Sequence, residues 1–191
     1  MTEYLPSKPD QREPVVKRDM SNVPYDPQWL QTFEKVKAIL QTALGNTVLA
    51  IEHVGSTAIP GLSAKPRIDI DILIDSIDVL PTVIEKLETL GYFSQRSLES
   101  EGREVFGRRD DTVPYDGSGT TWTKQNVYVC LKDSPFYQEH ILFRDYLQAH
   151  PEIAQQYSDL KYELAEKYNG DQDGYVQGKQ EFVKNVLSQI V

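Results

Sequence analysis

The spacing of apolar residues predicts an amphipathic helix near the start of the chain. Apolar side chains recur there at intervals of three or four residues, which places them on one face of a helix. Asp26 is a suitable N-cap, Pro27 suits the first helical position, and Gly45 suits the end. We therefore expect a helix between Asp26 and Gly45 whose buried face carries Trp29, Phe33, Val36, Leu40 and Leu44.

A strictly alternating pattern predicts a β-strand over residues 67–74, with the sequence RIDIDILI. Successive side chains of a strand point to opposite faces, so its four isoleucines share one face, and the other face carries Arg67, Asp69, Asp71 and Leu73. Shorter apolar runs predict further strands at 47–54, around 92–96 and 104–109, and at 126–132, and a helix over 78–92.

The C-terminal third of the chain is predicted to be helical. The first of three helices ends near His150, the second runs from Pro151 to Gly170, and the third is weakened at its start by Gly174 and Gly178. Residues 109–125 are rich in turn formers and are expected to be a loop. This order of elements predicts an α/β or α+β fold, with a sheet flanked by helices and a helical C-terminal third.

Residues 1–20 lack any periodic pattern and are rich in proline and charged side chains. Such a segment buries too little apolar surface to fold, so we expect a flexible tail. The remainder, residues 21–191, has the length of a single domain.

Composition narrows the possible functions. The formal net charge of −9 argues against sequence-independent binding to nucleic acid, which needs a basic surface. No run of about 18 apolar residues is present and the N-terminus is polar, so we expect neither a membrane partner nor a secretory signal. The single cysteine, Cys130, fits a reducing compartment such as the cytoplasm, and its place at the end of an apolar run indicates a buried thiol.

Asp69 and Asp71 are the first candidates for chemistry. Two carboxylates on one face of a strand repel each other and lose hydration unless a cation or water compensates. Mg²⁺ or Mn²⁺ is a suitable compensator, because hard cations prefer oxygen ligands and also bind phosphates. The alternative is a solvated strand face on which water or Arg67 satisfies the two aspartates.

A turn with the sequence Gly55-Ser56-Thr57 precedes this strand. Glycine permits a tight bend, and the hydroxyls and free N–H groups of such a turn suit a phosphate chain. Lys65 and Arg67 lie close by in sequence and are able to neutralise phosphate charge. The alternatives are an ordinary Ser/Thr turn and two solvated surface cations.

The stretch EHVGSTAIPGLSAKPRIDIDILI resembles the signature of the GrpB family, a group within the nucleotidyltransferase superfamily. The resemblance continues in VPYDPQWLQTFEKVKAIL upstream and FRDYLQAHPEIAQQYSDLKYELAEKY downstream. It implies a nucleotidyltransferase-like core with a small mixed sheet. It also implies a phosphate-binding turn at Gly55 and Ser56, and a metal-binding strand at Asp69 and Asp71.

Three positions qualify what the resemblance implies. Enzymes of the superfamily usually add a third carboxylate from a later strand, for which Glu104 is the candidate here, the alternative being an exposed glutamate. Tyr128 stands where family members often have a histidine. Arg144 lies in a matched stretch and is expected either to reach a phosphate or to pair with Asp145 or another nearby acid.

The combined hypothesis is a metal-dependent nucleotidyltransferase-like protein. Asp69 and Asp71 would hold Mg²⁺ or Mn²⁺, and the phosphates of a nucleotide or another phosphorylated small molecule would contact Gly55, Ser56, Thr57, Lys65, Arg67 and Arg144. One alternative is a binding module without catalysis, favoured if no third acid lies near the pair. Another is a protein-interaction domain that docks through the helical C-terminal third.

Overall fold

The computed structural model describes residues 22–96, 102–169 and 171–190. The expected tail at residues 1–20 and the expected helix end at Gly170 lie outside the described residues. The helices and strands are α1 (Gln28–Leu44), β1 (Ala50–Val54), β2 (Arg67–Ile74), α2 (Leu80–Thr89), β3 (Tyr92–Arg96), β4 (Glu104–Arg108), β5 (Lys124–Leu131), α3 (Pro135–Ala149), α4 (Pro151–Tyr168) and α5 (Gln172–Leu187).

The five strands form one mixed sheet in the order β1-β2-β5-β4-β3. Strands β2 and β5 are parallel, whereas the other neighbouring pairs are antiparallel. The predicted class, a small mixed sheet flanked by helices with a helical C-terminal third, is confirmed. Strand β1 begins at Ala50 instead of residue 47, because residues 45–47 form a single 3₁₀ turn after α1.

One face of the sheet forms the main core. The four isoleucines of β2 are fully buried there and belong to one cluster with apolar residues of α1 and α2. The alternating pattern of residues 67–74 therefore predicted both the strand and its buried face. The other face carries Asp69 and Asp71 and faces the C-terminal helices, which pack together through a second apolar cluster that includes Leu147, Tyr157 and Val186.

Helix α5 begins earlier than its two glycines suggested. It starts at Gln172, where the Asp171 side chain accepts hydrogen bonds from the N–H groups of Asp173 and Gly174. A Cβ built on Gly178 would overlap the Leu164 side chain of α4. The glycine thus allows α5 to approach α4 closely, and packing outweighs its weak helix propensity. No helix in the described ranges is both long and apolar enough to span a bilayer.

Candidate functional site

The turn after β1 is held directly against β2. Gly55 has φ +71 and ψ −171, a region open almost only to glycine, and residues 56–58 form one 3₁₀ turn. A Cβ built on Gly55 would overlap the carboxylate of Asp69. Glycine is therefore required both for the backbone conformation and for the close approach of the turn to Asp69.

Thr57 anchors this turn through two hydrogen bonds. Its Oγ1 donates to the Arg67 carbonyl oxygen at 3.1 Å and lies 3.0 Å from His53 Nε2. Since the hydroxyl has one proton to donate, His53 Nε2 must be the donor in the second bond. Burial, followed by the positive charge of Arg144, lowers the pKa of His53 to about 4. A neutral His53 therefore positions Thr57, while Ser56 is left to face the cavity.

Asp69 lies at the rim of a cavity. It is half-buried, and its Oδ1 accepts a hydrogen bond of 2.6 Å from Asn126 Nδ2 on the neighbouring strand β5. Burial raises the pKa of Asp69, while the Asn126 hydrogen bond and the charges of His140 and Arg67 act in the opposite direction. Its carboxylate is thus partly satisfied by the protein and remains open towards the cavity.

Asp71 has different surroundings, although it lies only two residues further along β2. It is fully buried beneath α3, and its Oδ2 lies 2.9 Å from His140 Nδ1. Its Oδ1 is also buried and has no hydrogen-bond partner in the part of the chain that the structure describes. The His140 ring packs on Phe136, with 4.0 Å between ring centroids.

The contact between His140 and Asp71 was missed by the sequence analysis, which placed no role on His140. The contact joins residues 69 positions apart, so no local pattern reports it. A partial signal was present: Phe136, His140 and Arg144 recur every four residues and therefore share one face of α3.

The cavity beside Asp69 has a volume of about 390 Å³ and is strongly basic. Among the described residues that line it, Asp69 is the one carboxylate. Five cationic side chains share the lining: Lys65, Arg67, Lys124, Lys161 and Lys179. Lys65 and Arg67 are the two of these that the sequence predicts to contact phosphate. Ser56 and Thr57 also line the cavity, so the structure brings most of the predicted phosphate-binding residues together.

Lys161 is the most buried of these cations, with 2% of its surface exposed. Its Nζ donates to Ser56 Oγ at 3.1 Å and to the Ser63 carbonyl oxygen. Burial, followed by the charge of Lys179, lowers the pKa of Lys161 to about 7. Burial also lowers the pKa of Lys179, Lys65 adds to this effect, and Asp69 opposes it. The cavity thus holds crowded positive charge that an anion would stabilise.

Arg144 does not line this cavity. Its Nη1 donates to Glu52 Oε2 at 2.9 Å and to the His53 carbonyl oxygen at 3.0 Å, and its Nε donates to Asp145 Oδ1 at 2.8 Å. The pairing with Asp145 and a nearby acid, which the sequence analysis left open, is the arrangement in the structure. Arg144 joins α3 to β1.

Residues opposite the two aspartates on β5 are not acidic. Asp69 pairs with Asn126, and Asp71 pairs with Tyr128. Glu104 pairs with Val129, which itself pairs with Ile72, so Glu104 belongs to the opposite face of the sheet. Glu104 is also buried and accepts a hydrogen bond from Ser94 Oγ, so it is not an exposed glutamate.

The expected divalent ion can be tested against this geometry. The buried Oδ1 of Asp71 has no hydrogen-bond partner among the described residues, and Asp69 lies on the same face of the same strand. One ion with two carboxylates suits Mg²⁺, which takes its remaining ligands from water and phosphate. Within residues 22–96, 102–169 and 171–190, no group of three or more His, Cys, Asp or Glu side chains is placed to hold a metal. Asp69 and Asp71 are the two carboxylates that this face of β2 offers to such an ion.

Known proteins are similar to this chain in both sequence and fold. The glutamate-rich protein GrpB of Alkalihalophilus pseudofirmus is 35% identical over 178 residues, covering 92% of this chain and 98% of that protein. The chain covers only 44% of the dephospho-CoA kinase of Mycolicibacterium paratuberculosis, at 30% identity. It therefore spans less than half the length of some curated relatives.

Solved structures agree with this relationship. The crystal structure of the conserved protein GrpB from Enterococcus faecalis matches with a TM-score of 0.67 and 26% identity, covering 87% of this chain and 99% of that one. The Cid1 poly(U) polymerase bound to MgGTP matches with a TM-score of 0.52 and 13% identity, covering 75% of this chain and 44% of that one. The second likeness shows a nucleotidyltransferase-like fold. The model of the GrpB protein family matches residues 20–189, and this chain belongs to the GrpB family.

Proposed function

We propose that this protein binds a nucleoside triphosphate together with one divalent ion in the cavity beside Asp69, as a nucleotidyltransferase-like protein. One observation carries the proposal: among the described residues, five cationic side chains and one carboxylate line this cavity, in a chain whose formal net charge is −9. A local excess of positive charge on an acidic protein favours a polyanionic ligand.

The phosphate chain is proposed to contact the Gly55-Ser56-Thr57 turn and the cations around it. Ser56 Oγ already accepts a hydrogen bond from Lys161, so a phosphate at this turn would lie near both groups. Lys65, Arg67 and Lys179 supply further positive charge from other segments of the chain. Phosphate charge would offset the burial and the mutual repulsion that lower the pKa values of Lys161 and Lys179.

Asp69 and Asp71 are proposed to hold one Mg²⁺ or Mn²⁺. Asp69 would offer the carboxylate at the cavity rim, and Asp71 would offer the Oδ1 that has no partner in the described chain. His140 would keep its contact with Asp71 Oδ2 and fix the orientation of that carboxylate. When bound, such an ion neutralises phosphate charge and orients the reacting group.

Nucleotidyl transfer is the finer proposal. In that reaction the oxygen of an acceptor hydroxyl bonds to the α-phosphorus, the bond from the α-phosphorus to the bridging oxygen breaks, pyrophosphate leaves, and the hydroxyl proton passes to water. The residues of this chain would position the triphosphate and stabilise the negative charge that develops on pyrophosphate, chiefly through Lys161 and Lys179.

A second candidate function is nucleotide binding without transfer. Asn126 and Tyr128 favour it, because they occupy the positions on β5 directly opposite Asp69 and Asp71, where a third carboxylate would complete the group. The two candidates share the same cavity and differ in whether pyrophosphate is released.

Calorimetric titration of ATP, GTP, CTP and UTP in the presence of Mg²⁺ tests the binding proposal. The comparison uses wild-type protein, Asp69→Asn/Asp71→Asn, and Lys35→Met as a control at an exposed position of α1. We expect the double variant to lose at least about tenfold in affinity, since each lost charge-assisted contact is worth about 1.5–3 kcal/mol. The control should bind as the wild type does. Equal binding by the double variant, or no binding of ATP, GTP, CTP or UTP by any protein, would contradict the proposal.

Pyrophosphate release separates the two candidates. Each nucleoside triphosphate is supplied with Mn²⁺ or Mg²⁺ and with small-molecule extracts as a source of acceptors. Release that disappears in Asp69→Asn supports transfer, whereas tight binding without release supports the second candidate.

A further inference from the structure

The groups that line the cavity include few that are able to recognise a nucleobase. Tyr175 is the one aromatic side chain among the described lining residues, and only 2% of its surface is exposed. The ammonium groups of Lys65 and Lys179 lie over its ring, 4.7 and 4.8 Å from the centroid. A base therefore has no open aromatic surface to stack on in this cavity.

The side-chain amides of the lining are also engaged. Asn22 Nδ2 donates to the Tyr175 hydroxyl at 3.3 Å and to the Lys161 carbonyl oxygen at 3.4 Å. Asn126 donates to Asp69 and accepts from Arg67 Nη1 at 3.2 Å. Gln172, at the exposed start of α5, is the lining amide without such a bond among the described residues. Hydrogen-bonding groups that would distinguish one base from another are thus largely committed to the protein.

The cations, in contrast, come from separate segments and converge on one space. Lys161 belongs to α4, Lys179 to α5, and Lys65 to the segment before β2. Their Tyr175 and Ser56 contacts hold them in place before any ligand arrives. This arrangement is preorganised for several phosphate groups and not for an apolar ring.

We infer that the cavity recognises the triphosphate chain itself and is indifferent to the nucleobase attached to it. The inference rests on the proposed function and narrows its ligand class to molecules that contain three linked phosphates. Three linked phosphates are present both in nucleoside triphosphates and in inorganic triphosphate. The base of a bound nucleotide would lie outside the cavity.

Calorimetry with a ligand panel tests this inference on the full chain at constant free Mg²⁺. The panel contains ATP, GTP, CTP, UTP, inorganic triphosphate and AMP. We expect the four nucleotides to bind within about threefold of one another and inorganic triphosphate within about tenfold of them, with AMP weaker by at least about 100-fold. One nucleotide that binds more than about tenfold tighter than the others would overturn the inference, as would inorganic triphosphate that binds more than about tenfold weaker than all four.

The panel also separates this inference from the proposed function. Tight binding of a single nucleotide would leave the proposed function standing and refute indifference to the base. Failure of every ligand to bind would refute both.

Two variants test whether affinity depends on a cation of the cavity or on a side chain that would contact the base. Lys179→Met is expected to weaken the binding of all triphosphates by the same factor, and Gln172→Ala should leave the ranking of the four nucleotides unchanged. A change in the ranking of the four nucleotides in Gln172→Ala would show that the base is read and would overturn the inference. Lys35→Met serves as the charge-matched control, and thermal unfolding of each variant verifies that it is folded.

Discussion

Asp69 and Asp71 lie on the same face of β2, yet the protein places them in opposite environments. Asp69 is half-buried, contacts Asn126 and opens onto a basic cavity. Asp71 is fully buried, contacts His140 and is covered by α3. The strand alone makes the two residues equivalent, so the difference arises from the helices that pack over each one.

Different helices supply the residues that lie next to each aspartate. Helices α4 and α5 supply Lys161 and Lys179 next to Asp69, whereas α3 supplies His140 next to Asp71. We propose that Asp69 meets the ligand directly and that Asp71 completes the ion site from beneath. Asp71 also ties α3 to the sheet.

The substitution Gly55→Ala, next to Asp69, is expected to change the stability of the protein most. Alanine would adopt a backbone region reserved for glycine and would overlap the Asp69 carboxylate, so we expect a loss of about 2–5 kcal/mol in the free energy of unfolding. Urea denaturation measures it.

Gly61→Ala is the matched control for this prediction. Gly61 also has a positive φ, of 82°, but a Cβ there meets no atom within 4 Å. Its loss of stability should be clearly smaller. Equal losses at the two positions would show that the approach of Gly55 to Asp69 is unimportant.

The two aspartates should respond differently to the same substitution. Asp71→Asn leaves a buried amide without a partner and weakens the bond to His140, so we expect a loss of about 1–3 kcal/mol in unfolding free energy. Asp69→Asn at the cavity rim should change stability by less than about 1 kcal/mol, because Asn126 can still donate to the new side chain. Similar stabilities of the two variants would remove the distinction.

Lys161, in the basic cavity, is expected to make the stability of the protein depend on pH. Its pKa is about 7 in the folded protein, below its ordinary value of 10.5, so the unfolded chain binds more protons between these values. Stability should therefore rise with pH from about 7 towards 10, with a contribution of up to about 1.4 kcal/mol per pH unit.

Denaturation curves of wild type and Lys161→Met at several pH values isolate this contribution, because other titrating groups are common to both proteins. The wild type should become more stable relative to the variant as pH rises. A difference that stays constant with pH would contradict the account of Lys161.

The smallest effect is expected for the chemical reactivity of Cys130, which lies on the same face of the sheet as Asp71. Its thiol is buried, and burial, followed by the charge of Asp71, raises its pKa to about 12. Alkylation by iodoacetamide at mild alkaline pH should therefore be negligible until the protein is unfolded. Rapid modification of the native protein would show that this side of the sheet is open.

The sequence predicted the strand of the site better than its surroundings. The bounds of β2 and the shared face of Asp69 and Asp71 follow from local alternation, and the position of Gly55 follows from its turn. The sequence indicates the role of Lys161 only weakly. Lys161 is a charged residue on the helix face of α4 that also carries the buried residues Tyr157 and Leu164.

The rest depends on contacts between distant segments. Lys161 meets Ser56 across 105 positions, and His140 meets Asp71 across 69. Arg144 was selected for phosphate but is engaged by Glu52 and Asp145, because α3 brings it to β1 and not to the cavity. Such pairings are set by how the helices dock, which the periodicity of a single element does not report.

The basic cavity beside Asp69 is proposed to bind the phosphate chain of a nucleotide. The most direct test is calorimetric titration of ATP with Mg²⁺ into Lys161→Met/Lys179→Met and into the control Lys35→Met. The double variant should bind at least about 100-fold more weakly, since two charged contacts are lost, while the control should bind as the wild type does. Unchanged affinity in a folded double variant would contradict it.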